Sequence, residues 1–463
     1  MPDADLVVRG GAVVLRHGVE RADVAITDGV VTAVGPDLGR TGVTEVDATG
    51  LHVLPGVVDP HVHFNEPGRT HWEGIASGSA ALAAGGGTTY LDMPLNSLPA
   101  TTDGPAFDGK RAAAEAASHA DFGLWGGLVP GGLGRLEELA GRGAAGFKAF
   151  LCDSGVAEFA PVDDLTLVEG MRRCADLGAL VAVHAESATM VAGLARRAVA
   201  AGRTGARDFA ESRPVIAELE AISRAVFLAG DTGCSLHVVH VSTPLGVELV
   251  ERASAAGVDV TCETCPHYLV LTVDDLEELG AVAKCAPPLR SAADGDGLWK
   301  LIARGALPIV ASDHSPCPPE LKAGADLFQA WGGISGCQTT LNLLLAEGHG
   351  RRGLPLASVA AITAGNAARR FGLAGKGAIE VGADADLAIV DLSREWNLQT
   401  SELRYRHRHS PYAGRRVRGR VVRTLLRGRT VALDGRPVAP PGGRLLRPSV
   451  DRNGQRAGSQ RTW

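Results

Sequence analysis

The chain has 463 residues, of which 45% are hydrophobic and 21% are charged, and its formal net charge is -6. This composition supports a large buried core and excludes a mainly disordered chain, and the length fits one large domain with a smaller satellite. The acidic balance lacks the basic surface that nucleic acid binding needs, and no apolar stretch reaches the length of a membrane span. Eight scattered cysteines in a chain without a visible secretory signal predict a reduced, cytoplasmic protein.

Short strands separated by turns are predicted at both ends of the chain. Residues 1–54 contain four apolar runs, including residues 6–9 and 12–15, and residues 372–440 contain a second series of turns and strands. We therefore predict one small β-sandwich satellite that both chain ends build together. Residues 441–463 are rich in Pro, Gly and Arg and are predicted to be a disordered tail.

Between these ends, residues 55–371 alternate strand-like and helix-like segments. Alternation of this kind, with eight strands, predicts an α/β domain of the (β/α)8 TIM-barrel type. A doubly wound sheet is the alternative, but it does not require eight strands. The predicted strands are Val57–His63, Thr88–Asp92, Phe122–Leu128, Gly146–Phe150, Leu180–His184, Leu236–His240, Val258–Glu263 and Pro308–Ser312.

Ionisable side chains occupy five of these strands or follow directly after them. His61 and His63 are two residues apart, so they point to the same face of a strand. The carboxyl ends of barrel strands meet at one mouth, where active sites form, and imidazole and carboxylate groups bind zinc and similar ions. One His pair alone could equally be structural, but six such residues at one mouth predict a metal site. They are His61, His63, Lys148, His184, His240 and Asp313.

Lys148 is the unusual member, because an ammonium group does not bind metal and is costly to bury among cations. One interpretation is a salt bridge with a carboxylate. The other is a neutral amine that carbon dioxide has carboxylated, which gives an anion able to bridge two metal ions. The residues alone do not choose between them.

Together these residues resemble the amidohydrolase superfamily, specifically its cyclic amidohydrolases, from about Asp5 to Asp434. The resemblance implies that His61, His63 and Asp313 bind one divalent ion and that His184 and His240 bind a second. It also implies that Lys148 is carboxylated and bridges the two ions. Zinc is favoured, with cobalt, manganese or nickel as alternatives. A homo-oligomer, either tetramer or dimer, is implied as well.

Within this group the motifs are most similar to those of the allantoinases. They include Asp-Met-Pro-Leu-Asn-Ser at 92–97, Cys-Glu-Thr-Cys-Pro-His-Tyr-Leu at 262–269 and Trp-Gly-Gly-Ile-Ser-Gly-Cys-Gln at 331–338. Dihydroorotases carry an Arg for the substrate carboxylate where this chain has Asn65, although Arg69 is near enough in sequence to substitute. Hydantoinases carry a Tyr where this chain has Asp153.

The resemblance implies hydrolysis of the hydantoin ring of allantoin to allantoate. A hydroxide shared by the two metal ions would be the nucleophile, and Asp313 would act as general base and then as general acid. The implied substrate-binding residues are Asn96, Ser154, Cys285 and Gly332. A hydantoinase or dihydropyrimidinase, or a dihydroorotase, is the alternative. The complete set of metal ligands disfavours a non-catalytic scaffold. The expected partner is a small cyclic ureide, with neither nucleic acid nor membrane.

Overall fold

A computed structural model describes residues 4–39 and 44–449 of the chain. Two apolar runs predicted as separate strands, 6–9 and 12–15, form one strand. Between Val8 and Gly11 the pairing of this strand with the next one shifts register, as at a β-bulge, and then continues. The N-terminal strands are β1 (Leu6–Leu15), β2 (Gly18–Thr27), β3 (Val30–Gly35), β4 (Thr44–Asp47) and β5 (His52–Pro55).

The central strands follow in the predicted order, and each pairs in parallel with its neighbour. The third predicted strand is divided at Trp125, whose indole N–H donates to the carbonyl oxygen of Pro60 at 3.1 Å. The strands are β6 (Val57–Val62), β7 (Gly87–Asp92), β8 (Asp121–Leu124), β9 (Gly126–Gly127), β10 (Phe147–Phe150), β11 (Leu180–His184), β12 (Ser235–Val238), β13 (Val260–Thr264) and β14 (Ile309–Val310).

Contacts between the last and first strands close this sheet into a barrel. The backbone N–H of His63 donates to the carbonyl oxygen of His314 at 2.7 Å, and Val62 pairs in parallel with His314. The backbone N–H of Ser312 donates to the Asp59 carboxylate at 3.1 Å. A doubly wound sheet has two free edges, so the predicted barrel is confirmed and the alternative fold is wrong.

Helices surround the barrel and cover the outer face of its strands. Because both faces are covered, almost every residue of β6 to β14 is buried. The helices are α1 (Ile75–Ala84), α2 (Gly104–Ala117), α3 (Leu136–Arg142), α4 (Asp164–Asp176), α5 (Ala188–Ala200), α6 (Ala206–Glu211), α7 (Val215–Thr232), α8 (Pro244–Ala255), α9 (Pro266–Val270), α10 (Val273–Leu279), α11 (Ala292–Ala303), α12 (Thr340–Leu343), α13 (Leu356–Ala360) and α14 (Asn366–Arg370). Among the described residues, no helix is both long and apolar enough to cross a membrane.

The chain ends meet in one further sheet, which confirms the predicted satellite built from both termini. Its C-terminal strands are β15 (Leu387–Asn397), β16 (Arg416–Leu426), β17 (Arg429–Leu433) and β18 (Arg436–Pro437). Antiparallel pairing of β15 with β5 joins the two halves, and hydrogen bonds connect all nine strands in one sheet. The satellite has its own apolar core, which includes Val8, Val24, Val53, Leu387, Ile389 and Leu425.

A buried group of charges links the satellite to the barrel. The Lys376 ammonium contacts Asp121 of β8 at 2.6 Å and both Asp384 and Asp386 at 2.8 Å. The predicted domain limits at residues 54 and 371 stay predictions, and the nearest element ends are Pro55 and Arg370.

The first part of the predicted disordered tail is ordered against the barrel, so the prediction is wrong for residues 441–449. The backbone N–H of Phe122 donates to the carbonyl oxygen of Arg444 at 2.9 Å, and the N–H of Ser449 donates to Gly372 at 2.8 Å. These contacts pair the segment with β8, a partner that local composition does not reveal. Residues 450–463 lie outside the described residues.

Candidate metal centre and active site

Five of the predicted metal-binding side chains line a cavity of about 350 Å³ at the carboxyl ends of the barrel strands. They are brought together because successive parallel strands end at the same side of the barrel. These lining residues are His61, His63, His184, His240 and Asp313.

The first group consists of His61, His63 and Asp313, which lie at the ends of the first and last strands of the barrel. The Nε2 atoms of His61 and His63 lie 3.1 Å and 3.4 Å from Oδ1 of Asp313. Two ligands on one tetrahedral zinc ion, each at 2.0–2.1 Å, would be roughly 3.3 Å apart. The three side chains therefore fit a shared divalent ion without rearrangement.

The second group lies on the neighbouring strands. Nδ1 of His184 is 3.0 Å from Nε2 of His240, and the His240 ring is 5.5 Å from the His61 ring, centroid to centroid. Desolvation lowers the pKa of both His184 and His240, so both rings are neutral and able to bind a metal.

Lys148 lies on β10, and its side chain is fully buried. Its Nζ atom has no hydrogen-bond partner among the described residues, so the salt bridge that the sequence left open is not formed there. Burial lowers the pKa of Lys148 to about 7, against the opposing effect of Glu263 and Asp313. An amine with this pKa is neutral in about half of the molecules at neutral pH.

Asp313 and His240 both have left-handed backbone conformations, with φ values of 44° and 39°. Such conformations are unfavourable for residues other than glycine, and they concentrate at functional sites. Burial alone would raise the pKa of Asp313, but His61, His63 and His240 outweigh it and hold the pKa well below its usual range. The carboxylate is therefore ionised and able to accept a proton or bind a metal ion.

Glu263, on β13, is a supporting residue to which the sequence analysis gave no role. Its buried carboxylate accepts from Nδ1 of His61 at 2.6 Å and from Nε2 of His237 at 3.1 Å. The contact with His61 leaves Nε2 of that ring for a metal ion. The one sign of this supporting role in the sequence is a Glu inside a strand whose other residues are apolar or small.

Glu186 supports the second group, His184 and His240, in the same way. Its carboxylate accepts from Nε2 of His184 at 2.8 Å and also contacts the Arg213 guanidinium. Arg213 and His184 overcome the effect of burial and lower the pKa of Glu186 to about 2. Nδ1 of His184 is consequently the atom directed toward His240.

The four predicted substrate-binding residues, Asn96, Ser154, Cys285 and Gly332, all line the cavity. The Asn96 amide nitrogen lies 3.5 Å from Nδ1 of His63, and its buried Oδ1 has no partner in the described ranges. The Ser154 hydroxyl donates within its own loop, to Phe159 at 2.6 Å. Asn96 therefore has free hydrogen-bonding capacity, whereas the Ser154 side chain is already used.

Asn65 and Asp153 stand where dihydroorotases carry an Arg and hydantoinases carry a Tyr. The Asn65 amide donates to the carbonyl oxygen of Pro316 at 3.1 Å, and Arg69 pairs with Glu158. Neither Asn65 nor Arg69 lines the cavity, so Arg69 does not substitute for the missing dihydroorotase Arg. Asp153 does line the cavity, at the position where hydantoinases carry Tyr.

A sequence model described as the amidohydrolase family matches residues 52–431. The chain belongs to the amidohydrolase family. It is 60% identical over 448 residues to an allantoinase of Rubrobacter xylanophilus, covering 97% of this chain and 98% of that protein. It is 43% identical over 449 residues to an allantoinase of Escherichia coli, covering 96% and 99%. The structure is similar to L-hydantoinase (dihydropyrimidinase) from Arthrobacter aurescens, with a TM-score of 0.94, 36% identity and coverage of 96% and 100%.

These findings confirm the predicted resemblance to amidohydrolases and, with it, the prediction of an enzyme. Dependence on divalent metal ions is general in this family. Among the described residues, His61, His63 and Asp313 form one group whose ligand atoms lie within 4.8 Å of one another.

Proposed function

We propose that this enzyme hydrolyses a ring amide of allantoin and releases allantoate. The observation that carries the proposal is the His and Asp cluster at one cavity, in a chain that is 60% identical over 97% of its length to an allantoinase. A hydantoinase is the second candidate, because a hydantoinase structure matches with a TM-score of 0.94. The higher identity to allantoinases favours the first.

The proposed cofactor is a pair of divalent ions, most plausibly zinc given the nitrogen and oxygen ligands. His61, His63 and Asp313 would hold one ion, and His184 and His240 the other. When bound, the ions supply a hydroxide at neutral pH and polarise the carbonyl oxygen under attack.

Lys148 would carry a carboxylate derived from carbon dioxide and bridge the two groups. Its amine nitrogen forms a bond to the carbon of carbon dioxide and releases a proton. Its fully buried Nζ atom has no partner in the described part of the chain. Lys148 also lies near both groups, because its charge lowers the pKa of His184 and of His240, and the Asp313 carboxylate raises the pKa of Lys148. An anion at this position would offset the positive charge of two ions.

Asp313 is the proposed proton carrier. Its carboxylate accepts the proton of the attacking hydroxide as the new C–O bond forms at the ring carbonyl. It then returns that proton to the ring nitrogen as the C–N bond breaks, which yields the open ureido acid. Asn96 would orient the ring through its unpartnered amide oxygen.

We further propose that the protein is a cytoplasmic homo-oligomer. All eight cysteines are buried and scattered along the chain, as in proteins of reducing compartments that lack a disulfide framework. Large apolar side chains remain exposed on α4 and α7, where Leu165, Ile216 and Phe227 are 64%, 58% and 73% exposed. Burial of these side chains between subunits would be favourable. Light scattering on the purified protein measures the oligomeric state directly.

Ring opening of allantoin, hydantoin, dihydrouracil and dihydroorotate by the purified enzyme tests the proposed substrate. We expect the highest kcat/KM for allantoin, with metal analysis of the same sample giving two ions per chain. The Asp313→Asn variant controls for contaminating activity and should be inactive on all four compounds. Turnover of another compound without opening of allantoin would show that the proposed substrate is wrong.

A further inference from the structure

The cavity wall contains a buried lysine that the reaction described above does not use. Lys284 lines the cavity, yet the whole residue is only 6% exposed. Its Nζ atom donates to the carbonyl oxygen of Ala330 and lies 4.6 Å from the centroid of the Phe209 ring. In the described ranges it has no carboxylate partner within ion-pair distance.

A second buried lysine in the same region, Lys322, has an acceptor for each of its N–H donors and serves as a comparison. Lys322 donates to three carbonyl oxygens, those of Ala281 at 2.9 Å, Trp331 at 3.2 Å and Gly333 at 2.7 Å. An ammonium group has three N–H donors, so Lys322 uses all of them. Lys284 uses one, and a buried charged donor without an acceptor is costly. Lys284 therefore has two donors left for a ligand in the cavity.

The charges around Lys284 also favour a ligand rich in acceptors. Burial, with the nearby Arg213 and Lys322, lowers the pKa of Lys284 to about 8, and Asp326 only partly opposes this effect. Lys284 is consequently still mostly protonated at neutral pH. Arg213 lines the same cavity but is paired with Glu186, so among the described residues Lys284 is the cation of this wall that has no carboxylate partner.

We propose that Lys284 binds the exocyclic ureido group of allantoin and donates a hydrogen bond to its carbonyl oxygen. The inference rests on the proposed function, because hydantoin itself lacks this group. The ureido group is attached to the ring carbon next to the carbonyl under attack, so it enters the cavity together with the ring.

The neighbouring residue Gly332 leaves room for this group. A Cβ atom placed on Gly332 would meet nothing closer than the Cε atom of Lys284, at 3.9 Å. An alkyl substituent in this space would leave the two remaining donors of the ammonium group without acceptors. A site built around a buried polar group rejects such analogues strongly. Lys284 would therefore select a ureido-substituted ring over an alkyl-substituted one.

The test compares kcat/KM for allantoin, hydantoin and 5-isopropylhydantoin in the wild type and in Lys284→Met. Loss of a hydrogen bond from a charged donor should lower the ratio of allantoin to hydantoin roughly 10- to 100-fold. The ratio of allantoin to 5-isopropylhydantoin should fall further. Lys284→Arg keeps a cationic donor and should recover part of the selectivity. Lys322→Met is the matched control, which should lower Tm without changing the ratios.

Equal losses on allantoin and hydantoin in Lys284→Met would overturn the inference, as would an equal change of ratio in Lys322→Met. Wild-type enzyme that opens hydantoin but not allantoin would instead refute the proposed function, and the inference with it. Dihydroorotate serves as a fourth substrate. If wild type prefers it and Lys284→Met loses that preference, the lysine binds a carboxylate and the ureido assignment is wrong.

Discussion

Replacement of Glu263 by Gln tests whether this buried carboxylate fixes the first metal-binding group. The carboxylate accepts two ring N–H bonds, from His61 at 2.6 Å and His237 at 3.1 Å. A Gln side chain offers one oxygen, so one ring N–H would face an amide NH2 group instead. Loss of one charge-assisted hydrogen bond costs about 1.5–3 kcal/mol. Loss of such a supporting contact typically lowers metal affinity by roughly 10- to 100-fold.

Zinc content per chain, measured across a series of chelator-buffered zinc concentrations, gives this affinity directly. We expect the ion that we propose for His61, His63 and Asp313 to be lost first in Glu263→Gln, while the ion that we propose for His184 and His240 is retained. Glu251→Gln is the control, since it removes an exposed pair with Arg304 and should match wild type. Coincident zinc-binding curves for Glu263→Gln and wild type would refute the reasoning.

Three further outcomes follow from other buried charges. Lys148→Ala should lose metal and activity together and regain part of both with added short carboxylic acids, and retention of both ions with full activity would rule out a bridging role. Lys376→Met leaves the buried carboxylate of Asp386 without its ion-pair partner, while Asp121 keeps its contact with Arg427, so it should destabilise the protein by about 3–5 kcal/mol, seen as a lower Tm, and an unchanged Tm would contradict this. Burial raises the pKa of Glu73 from 4.5 to about 7, so the folded protein keeps a proton that the unfolded chain releases. Stability from this group is therefore present below about pH 4.5 and is lost as pH rises to about 7. Tm measured from pH 5 to 8 should fall less in Glu73→Gln than in wild type, and parallel curves would show that Glu73 does not titrate in this range.

The overall fold followed from local patterns because a barrel of this kind repeats one short unit eight times. Each buried strand is an apolar run that ends at a turn, so the strands can be recognised from the local hydrophobic pattern. The patterns failed where pairing is between distant residues. Residues 441–449 look like a tail in composition, but they bind the backbone of Phe122, about 320 residues earlier in the sequence.

The position of the candidate metal-binding residues at one mouth could be predicted because it depends on the ends of the strands. The supporting and selective residues could not, because their role depends on which side chain faces them. Glu263 matters through its contact with His61, and Lys284 matters because, among the described residues, only one of its three donors is used. Neither relationship has a fixed spacing in the sequence.

The sequence alone determined the barrel, the satellite from both chain ends and the six candidate metal-binding residues, because hydrophobic periodicity and strand ends are local properties. Only the tertiary structure decided that Lys148 has no salt bridge to any described residue, that Arg69 points to Glu158 instead of the cavity and that Lys284 faces the cavity. The physical reason is that the state of a buried charge depends on every group around it. Those groups come from strands and loops that only the closed barrel brings together.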